Sequence, residues 1–245
     1  MQIGRKQSTL WVLVLLVFAS TIIGWWLRSD QKAIEVVQDA LSQYVLTQKT
    51  GESAYFQDRI TFFEHQKKPC RVALLGDSLT DIGDWVEMGS DLGVVNRGIS
   101  GDTIAGLKSR LKQSLACKPK KVVVLIGIND LIAGASPEQV VRQLKELLLS
   151  LKSLDRTLVW QTLLPIHSEK FIRDTSFGAA FNQQIKQVNH NLKTFCAIHK
   201  IETVDVYQAL SDESGQLQTG FTHDGLHLNG IGYKVWFTVL QPYMR

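Results

Sequence analysis

The residues of this chain whose types and spacing could do covalent chemistry are a serine, an asparagine and an aspartate–histidine pair. Gly76-Asp77-Ser78-Leu79 follows the short apolar run Val72–Leu75. Asn96-Arg97-Gly98 follows Val94–Val95, and Gly127-Ile128-Asn129-Asp130 follows Val122–Ile126. Near the C-terminus stands Asp224-Gly225-Leu226-His227. Together these supply a hydroxyl, a glycine N–H, a side-chain amide and a carboxylate–imidazole pair. Those are the parts of acyl transfer: a nucleophile, donors for an oxyanion, and a general base with its orienting acid. Taken singly, each has a plainer reading. Gly-Asp-Ser makes turns, a lone Gly98 supplies a positive φ, Asn129-Asp130 can cap a helix, and Asp224 and His227 can share a surface loop. Their order, each at the end of a strand-like run, makes the set specific.

The spacing constrains the chemistry further. Ser78 is not in a G-x-S-x-G elbow, which speaks against the α/β-hydrolase fold. Asp224 and His227 are three apart, so one loop can present both, with Nδ1 toward the carboxylate and Nε2 toward the serine. His223 and His227 form H-x-x-x-H, but Gly225 lies between them and no third ligand is near. No metal site and no cofactor are expected. Trp85 either lines a pocket or packs under the nucleophile loop. Arg97 is expected in a structural ion pair rather than on an anionic substrate group.

Short apolar runs at Val72–Leu75, Val94–Val95, Val122–Ile126, Leu158–Leu163 and Thr203–Val206 read as buried parallel strands. Helical patterns lie at about 102–115, 136–154, 178–199 and 229–241. That alternation implies a three-layer α/β domain with a mainly parallel sheet, in which ligands bind beyond the carboxyl ends of the strands. Two helical stretches precede it, one over 31–49 and one with Tyr55, Phe56, Ile60 and Phe63 as its apolar side. The segment 165–177 is the longest without a pattern and could wall a pocket.

On these residues the chain resembles the SGNH/GDSL hydrolases, from about Tyr55 to the C-terminus. The four marker blocks match through Ser78, Gly98, Asn129, and Asp224 with His227. NRGISGDT (96–103) and DGLHLNGIGY (224–233) are similar to the branch with platelet-activating-factor acetylhydrolase catalytic subunits and bacterial acylhydrolases. The resemblance implies a flavodoxin-like α/β/α sandwich with a five-stranded parallel sheet in the order 2-1-3-4-5. It implies Ser78 as nucleophile, His227 as base and Asp224 as its partner. The Ser78 N–H, the Gly98 N–H and the Asn129 side chain would form the oxyanion hole. Expected by resemblance is hydrolysis of short acyl esters, acetyl foremost, through an acyl-serine intermediate. Lysophospholipid hydrolysis, acyl transfer and a non-catalytic acyl- or glycan-binding module are the alternatives.

The chain has 245 residues, 44% hydrophobic and 20% charged, which excludes low-complexity and disordered classes. Leu10 to Leu27 carries no charge, and Trp25 and Trp26 close it. The segment reads as an uncleaved transmembrane anchor, a signal peptide cleaved near Val17 and Ala19 being the alternative. Arg5 and Lys6 predict a cytoplasmic N-terminus over 1–9, with the rest exported to a periplasm or cell exterior. Residues 28–66 then form a helical linker with N-terminal helices, and 67–245 the hydrolase domain. Arg5, Lys6 and Arg28 also account for most of the +4 net charge: of 27 Lys+Arg, 24 remain against 23 Asp+Glu. That balance leaves no electrostatic footprint for nucleic acid; the resemblance implies an acyl-ester substrate, and the N-terminal segment a membrane, as partners.

In the order 2-1-3-4-5, Cys70 and Cys117 precede neighbouring strands, close enough for a bridge at the edge opposite the site. Lys118-Pro119-Lys120 could instead carry Cys117 away, and three unpaired buried cysteines stand as the expectation. Cys196, beside Leu192 and Phe195, reads as a buried free thiol.

Overall fold

The computed structural model describes residues 53–245, apart from 67, 90, 155, 173 and 174. The apolar segment 10–27 and the helical pattern at 31–49 lie outside the described residues. Among those described, no helix is long and apolar enough to cross a membrane.

Five strands, β1 (Val72–Gly76), β2 (Val94–Gly98), β3 (Lys121–Leu125), β4 (Thr157–Gln161) and β5 (Glu202–Val204), form one parallel sheet in the order β2-β1-β3-β4-β5. Its centre is apolar on both faces: all of β1 is buried, as are Val122 to Leu125 of β3. A strand buried on both sides cannot alternate polar with apolar, and so reads as a continuous run. The helices are α1 (Ala54–His65), α2 (Ser78–Asp81), α3 (Trp85–Met88), α4 (Ile104–Ser109), α5 (Leu111–Ser114), α6 (Ile128–Ile132), α7 (Pro137–Lys152), α8 (Ser168–Phe171), α9 (Thr175–Ile198), α10 (Val206–Leu210) and α11 (Gly230–Met244). The 3₁₀ turn Thr219–Phe221 precedes α11.

Local chemistry sets the ends of these elements. Helix α7 opens with Ser136 and Gln139 in a capping box and Pro137 in its first turn, then buries Val140, Val141, Leu144, Leu147, Leu148 and Leu151. Helix α9 turns Asn182 and Asn189 inward one above the other. The first exchanges hydrogen bonds with the N–H and C=O of Ile166, the second with those of Leu163. Those amides explain why Leu163 to Ile166, apolar and buried, leave the sheet after Gln161 instead of extending β4. The expected helix over 102–115 is two helices, broken at Arg110, whose side chain turns into the interior.

Helix α1 packs into the body. Phe56 and Phe63 bury against Ile99, with Ile60 partly covered. Tyr55 is not on that apolar side: it is exposed, and its hydroxyl points to Asp81.

Cys70 and Cys117 form a disulfide with a Cα–Cα distance of 5.5 Å, against the expectation of unpaired thiols. Lys118 adopts the left-handed conformation (φ 54°), so the chain folds back on itself instead of leaving the edge. The Cys70 N–H donates to Cys117 O at 3.2 Å beside the bridge. Cys196 is free and buried, and burial pushes its thiol up to about 11.

Candidate active site

Ser78 opens α2 directly after β1, and the turn between them is tight. A Cβ on Gly76 would lie 2.1 Å from Thr80 Oγ1 and 2.4 Å from Leu125 O, so only glycine fits. Asp77 caps the helix, its Oδ1 accepting from the Leu79 N–H at 3.1 Å. Ser78 is mostly buried, and its Oγ meets His227 Nε2 at 3.0 Å.

The histidine comes from the loop before α11. Asp224 Oδ2 lies 2.6 Å from His227 Nδ1, while Oδ1 accepts from the Leu226 and His227 N–H groups at 2.9 and 2.8 Å. An ionised carboxylate on Nδ1 fixes the tautomer with Nε2 unprotonated and able to take the serine proton. Burial acts upward on the Asp224 carboxyl, but hydrogen bonds from the His227 ring and the two N–H groups outweigh it and hold it below the usual range. Residues of α8 and its lead-in, within the segment expected to wall a pocket, brace this loop. The His167 N–H donates to Gly225 O at 2.8 Å, and Lys170 donates to Thr219 O and Thr222 O at 2.8 Å. Gly225 has φ 85°, and a Cβ on it would strike Phe171 N at 2.5 Å.

Asn129 enters from the end of β3 through Gly127, whose φ of 124° makes the turn, and it is buried. One Nδ2–H donates to Asp102 O at 2.8 Å, fixing the amide beside the loop 99–102. The other has no protein partner among the described residues.

Gly98 does not offer its N–H to this site. That group donates to Asn96 Oδ1 at 2.9 Å. The position is glycine for another reason: a Cβ would lie 2.3 Å from Asp81 N, because α2 packs directly on the end of β2. The free donor nearby is Gly101, in the loop that Asn129 holds. Gly101 has φ 78°, and no bond engages its N–H among the described residues. The run NRGISGDT contains both glycines, and spacing alone did not separate them.

Sequence reasoning missed the polar frame behind the site. Asn96 Nδ2 donates to the carbonyls of Thr80, Asp81 and Gly83 at 2.9, 2.9 and 3.2 Å, ending α2. Arg110 is fully buried and pairs with Asp102 at 2.7 Å. It also donates to Gly76 O, Arg97 O and Ser114 Oγ, tying together the carboxyl ends of β1 and β2. The signal was an arginine inside the helical pattern 102–115, in line with Ile104 and Leu107. Arg97 has no carboxylate partner among the described residues; it is buried, donates to Ser114 O and Asn96 O, and lies 4.8 Å over the Phe63 ring. Trp85 packs under the nucleophile loop, its Nε1 donating to Thr80 O at 2.6 Å and its ring edge-on to Trp236. Burial pushes the Asp77 carboxyl up to about 8 and that of Asp130 to about 6.

A cavity of about 880 Å³ lies between α1, α3 and the edge strand β2, and neither Ser78, Asn129 nor His227 lines it. The reacting groups lie instead beyond the carboxyl ends of β1 and β3.

Residues 74–235 match the GDSL-like lipase/acylhydrolase family. The chain belongs to this family. That family is one of lipases and acylhydrolases, and the comparisons that follow fit the membership. A Bacteroides fragilis structure assigned as an acylhydrolase aligns with a TM-score of 0.67 and 26% identity, covering 79% of this chain and 97% of that one. A lipase/acylhydrolase from Enterococcus faecalis aligns at a TM-score of 0.58 and 22% identity, covering 71% and 95%, and shares the fold. Among curated proteins, an N-acylneuraminate cytidylyltransferase from Streptococcus agalactiae serotype V is 27% identical over 194 residues, 79% of this chain. The chain spans only 43% of that relative's length.

Proposed function

We propose that this hydrolase is a membrane-anchored serine esterase that removes short acyl groups, acetyl foremost, from exported alcohols such as cell-envelope glycans. The observation that carries the mechanism is the unbroken line from Ser78 Oγ through His227 to Asp224, at 3.0 and 2.6 Å. Ser78 attacks the ester carbonyl as His227 Nε2 takes its proton, and Asp224 stabilises the imidazolium that forms. The carbonyl oxygen gains the charge and is met by the Ser78 N–H, the Gly101 N–H and the free Asn129 Nδ2–H. Collapse expels the alcohol, which receives its proton from His227, and leaves acyl-Ser78. Water then attacks by the same route in reverse, releasing the acid.

Three observations support the finer reading. The 10–27 segment has the composition of an anchor, with its positive flank on the N-terminal side. The Cys70–Cys117 bridge belongs in an oxidising compartment. The Streptococcus agalactiae relative is named for an acylated sugar acid, which favours a carbohydrate alcohol over a lipid. The test is a fluorophosphonate probe on the full-length protein, followed by p-nitrophenyl esters of rising chain length beside acetylated sugars and lysophospholipids. Labelling confined to Ser78, with turnover falling as the chain lengthens and acetylated sugars cleaved, is expected. Labelling that persists in Ser78→Ala would overturn the mechanism, and a preference for lysophospholipids would overturn the substrate class.

A further inference from the structure

One carboxylate lies where three parts of the site meet, and its partners reach outside the matched family region. Asp81 closes α2, one turn after Ser78, and is nearly buried. Its Oδ2 accepts from the Ser100 N–H at 3.0 Å and from the Ser100 hydroxyl at 2.8 Å. Ser100 directly precedes Gly101, so Asp81 fixes the loop that carries the free glycine donor. The same Oδ2 accepts from the Tyr55 hydroxyl at 2.6 Å, and Arg59 lies 3.5 Å from Oδ1. Arg59 also donates to Gly98 O at 3.4 Å, and its guanidinium lies 4.8 Å over the Phe63 ring. Tyr55 and Arg59 are one helical turn apart on α1, which precedes residue 74, where the family match begins.

We propose that Tyr55 and Arg59 are positioning residues that set the oxyanion loop through Asp81. The proposal rests on the acyl-serine reading for its kinetic consequence, but its geometric claim stands apart from it. A buried carboxylate with these donors around it has little freedom, and charge-assisted hydrogen bonds are the stronger kind. Without the Tyr55 hydroxyl, Oδ2 is shared between Ser100 and water, and the Ser100–Gly101 peptide gains room to move. A donor displaced by a fraction of an ångström from the developing oxyanion loses transition-state stabilisation while ground-state binding is kept.

The experiment compares full-length wild type, Tyr55→Phe, Asp81→Asn and the double variant. It reads kcat and KM on p-nitrophenyl acetate, thermal stability, and amide hydrogen exchange of a peptide spanning 98–103. Tyr55→Phe should lower kcat about 3- to 10-fold, the rate equivalent of one net hydrogen bond, with KM unchanged and the melting temperature lowered by no more than a few degrees. Asp81→Asn should lower kcat further, and adding Tyr55→Phe to it should change nothing more, because the two act in series. Exchange in 98–103 should rise in Tyr55→Phe while the rest of the protein holds its protection. An inactive wild type would sink the esterase reading and leave exchange to decide this one. Unchanged exchange in Tyr55→Phe overturns the proposal. So does a rise in KM at constant kcat in an active enzyme, which would make Tyr55 a substrate contact.

Discussion

Ser78, His227 and Asp224 handle a single proton, so their substitutions should not add. Ser78→Ala and His227→Ala should each remove turnover to near the level of the pair, while Asp224→Ala should retain more, because it orients rather than reacts. Steady-state kinetics on p-nitrophenyl acetate checks this. Asn129→Ala removes a donor that acts mainly on the transition state. It should cost about 10²–10³ in kcat with KM little changed. A third residue-scale prediction concerns pH. Burial raises the Asp77 carboxyl to about 8, so the native state holds a proton that the unfolded chain releases near the ordinary carboxylate value. The stabilisation this gives is fully present below that ordinary value and is lost as pH rises through about 8. Asp77→Asn keeps the acceptor for Leu79 and does not titrate. Its melting temperature should therefore gain on wild type between pH 5 and pH 9, measured side by side. At this scale the sequence was legible wherever chemistry names a residue type: a hydroxyl, an imidazole and a primary amide have few substitutes. It was illegible at Gly98 and Gly101, because one glycine is demanded by packing on α2 and the other by a positive φ, and neither demand shows in a sequence.

Strands and long helices were readable because burial imposes a period, and they failed where side chains rather than backbone end an element. The polar end of β2, Asn96-Arg97-Gly98, reads as loop, yet it pairs with β1 through Gly98 while the Asn96 side chain turns to α2. The run Leu158–Leu163 reads as strand to its end, yet β4 stops at Gln161, because asparagines from α9 take the backbone groups of Leu163 and Ile166. In the sequence the disulfide ranks behind free thiols, because the turn that holds Cys117 at the edge depends on one left-handed lysine beside a proline. The element-scale prediction follows from that bridge, which closes a loop of 47 residues at the edge away from Ser78. Cys70→Ser with Cys117→Ser should lower stability by about 2–4 kcal/mol and leave kcat at low temperature near wild type. Thermal denaturation with and without reductant should show the same loss in wild type and none in the double variant.

For the whole molecule, the charge asymmetry around the apolar segment predicts an N-in, C-out orientation. A reporter fused after Arg245 should be active when it requires export and silent when it requires the cytoplasm. The bridge also decides how such a chain carries mechanical load. Tension applied from the N-terminal side of Ser53 runs along α1 and reaches Cys70 before it reaches β1. There the covalent link divides it, passing force to Cys117 and the lead-in to β3. A moderate pull would strip α1, and with it the Tyr55 hydroxyl on Asp81, while β1 and the serine at its end stay seated. Reduced protein has no such stop, so under the same load the unzipping would run on into the strand that holds Ser78.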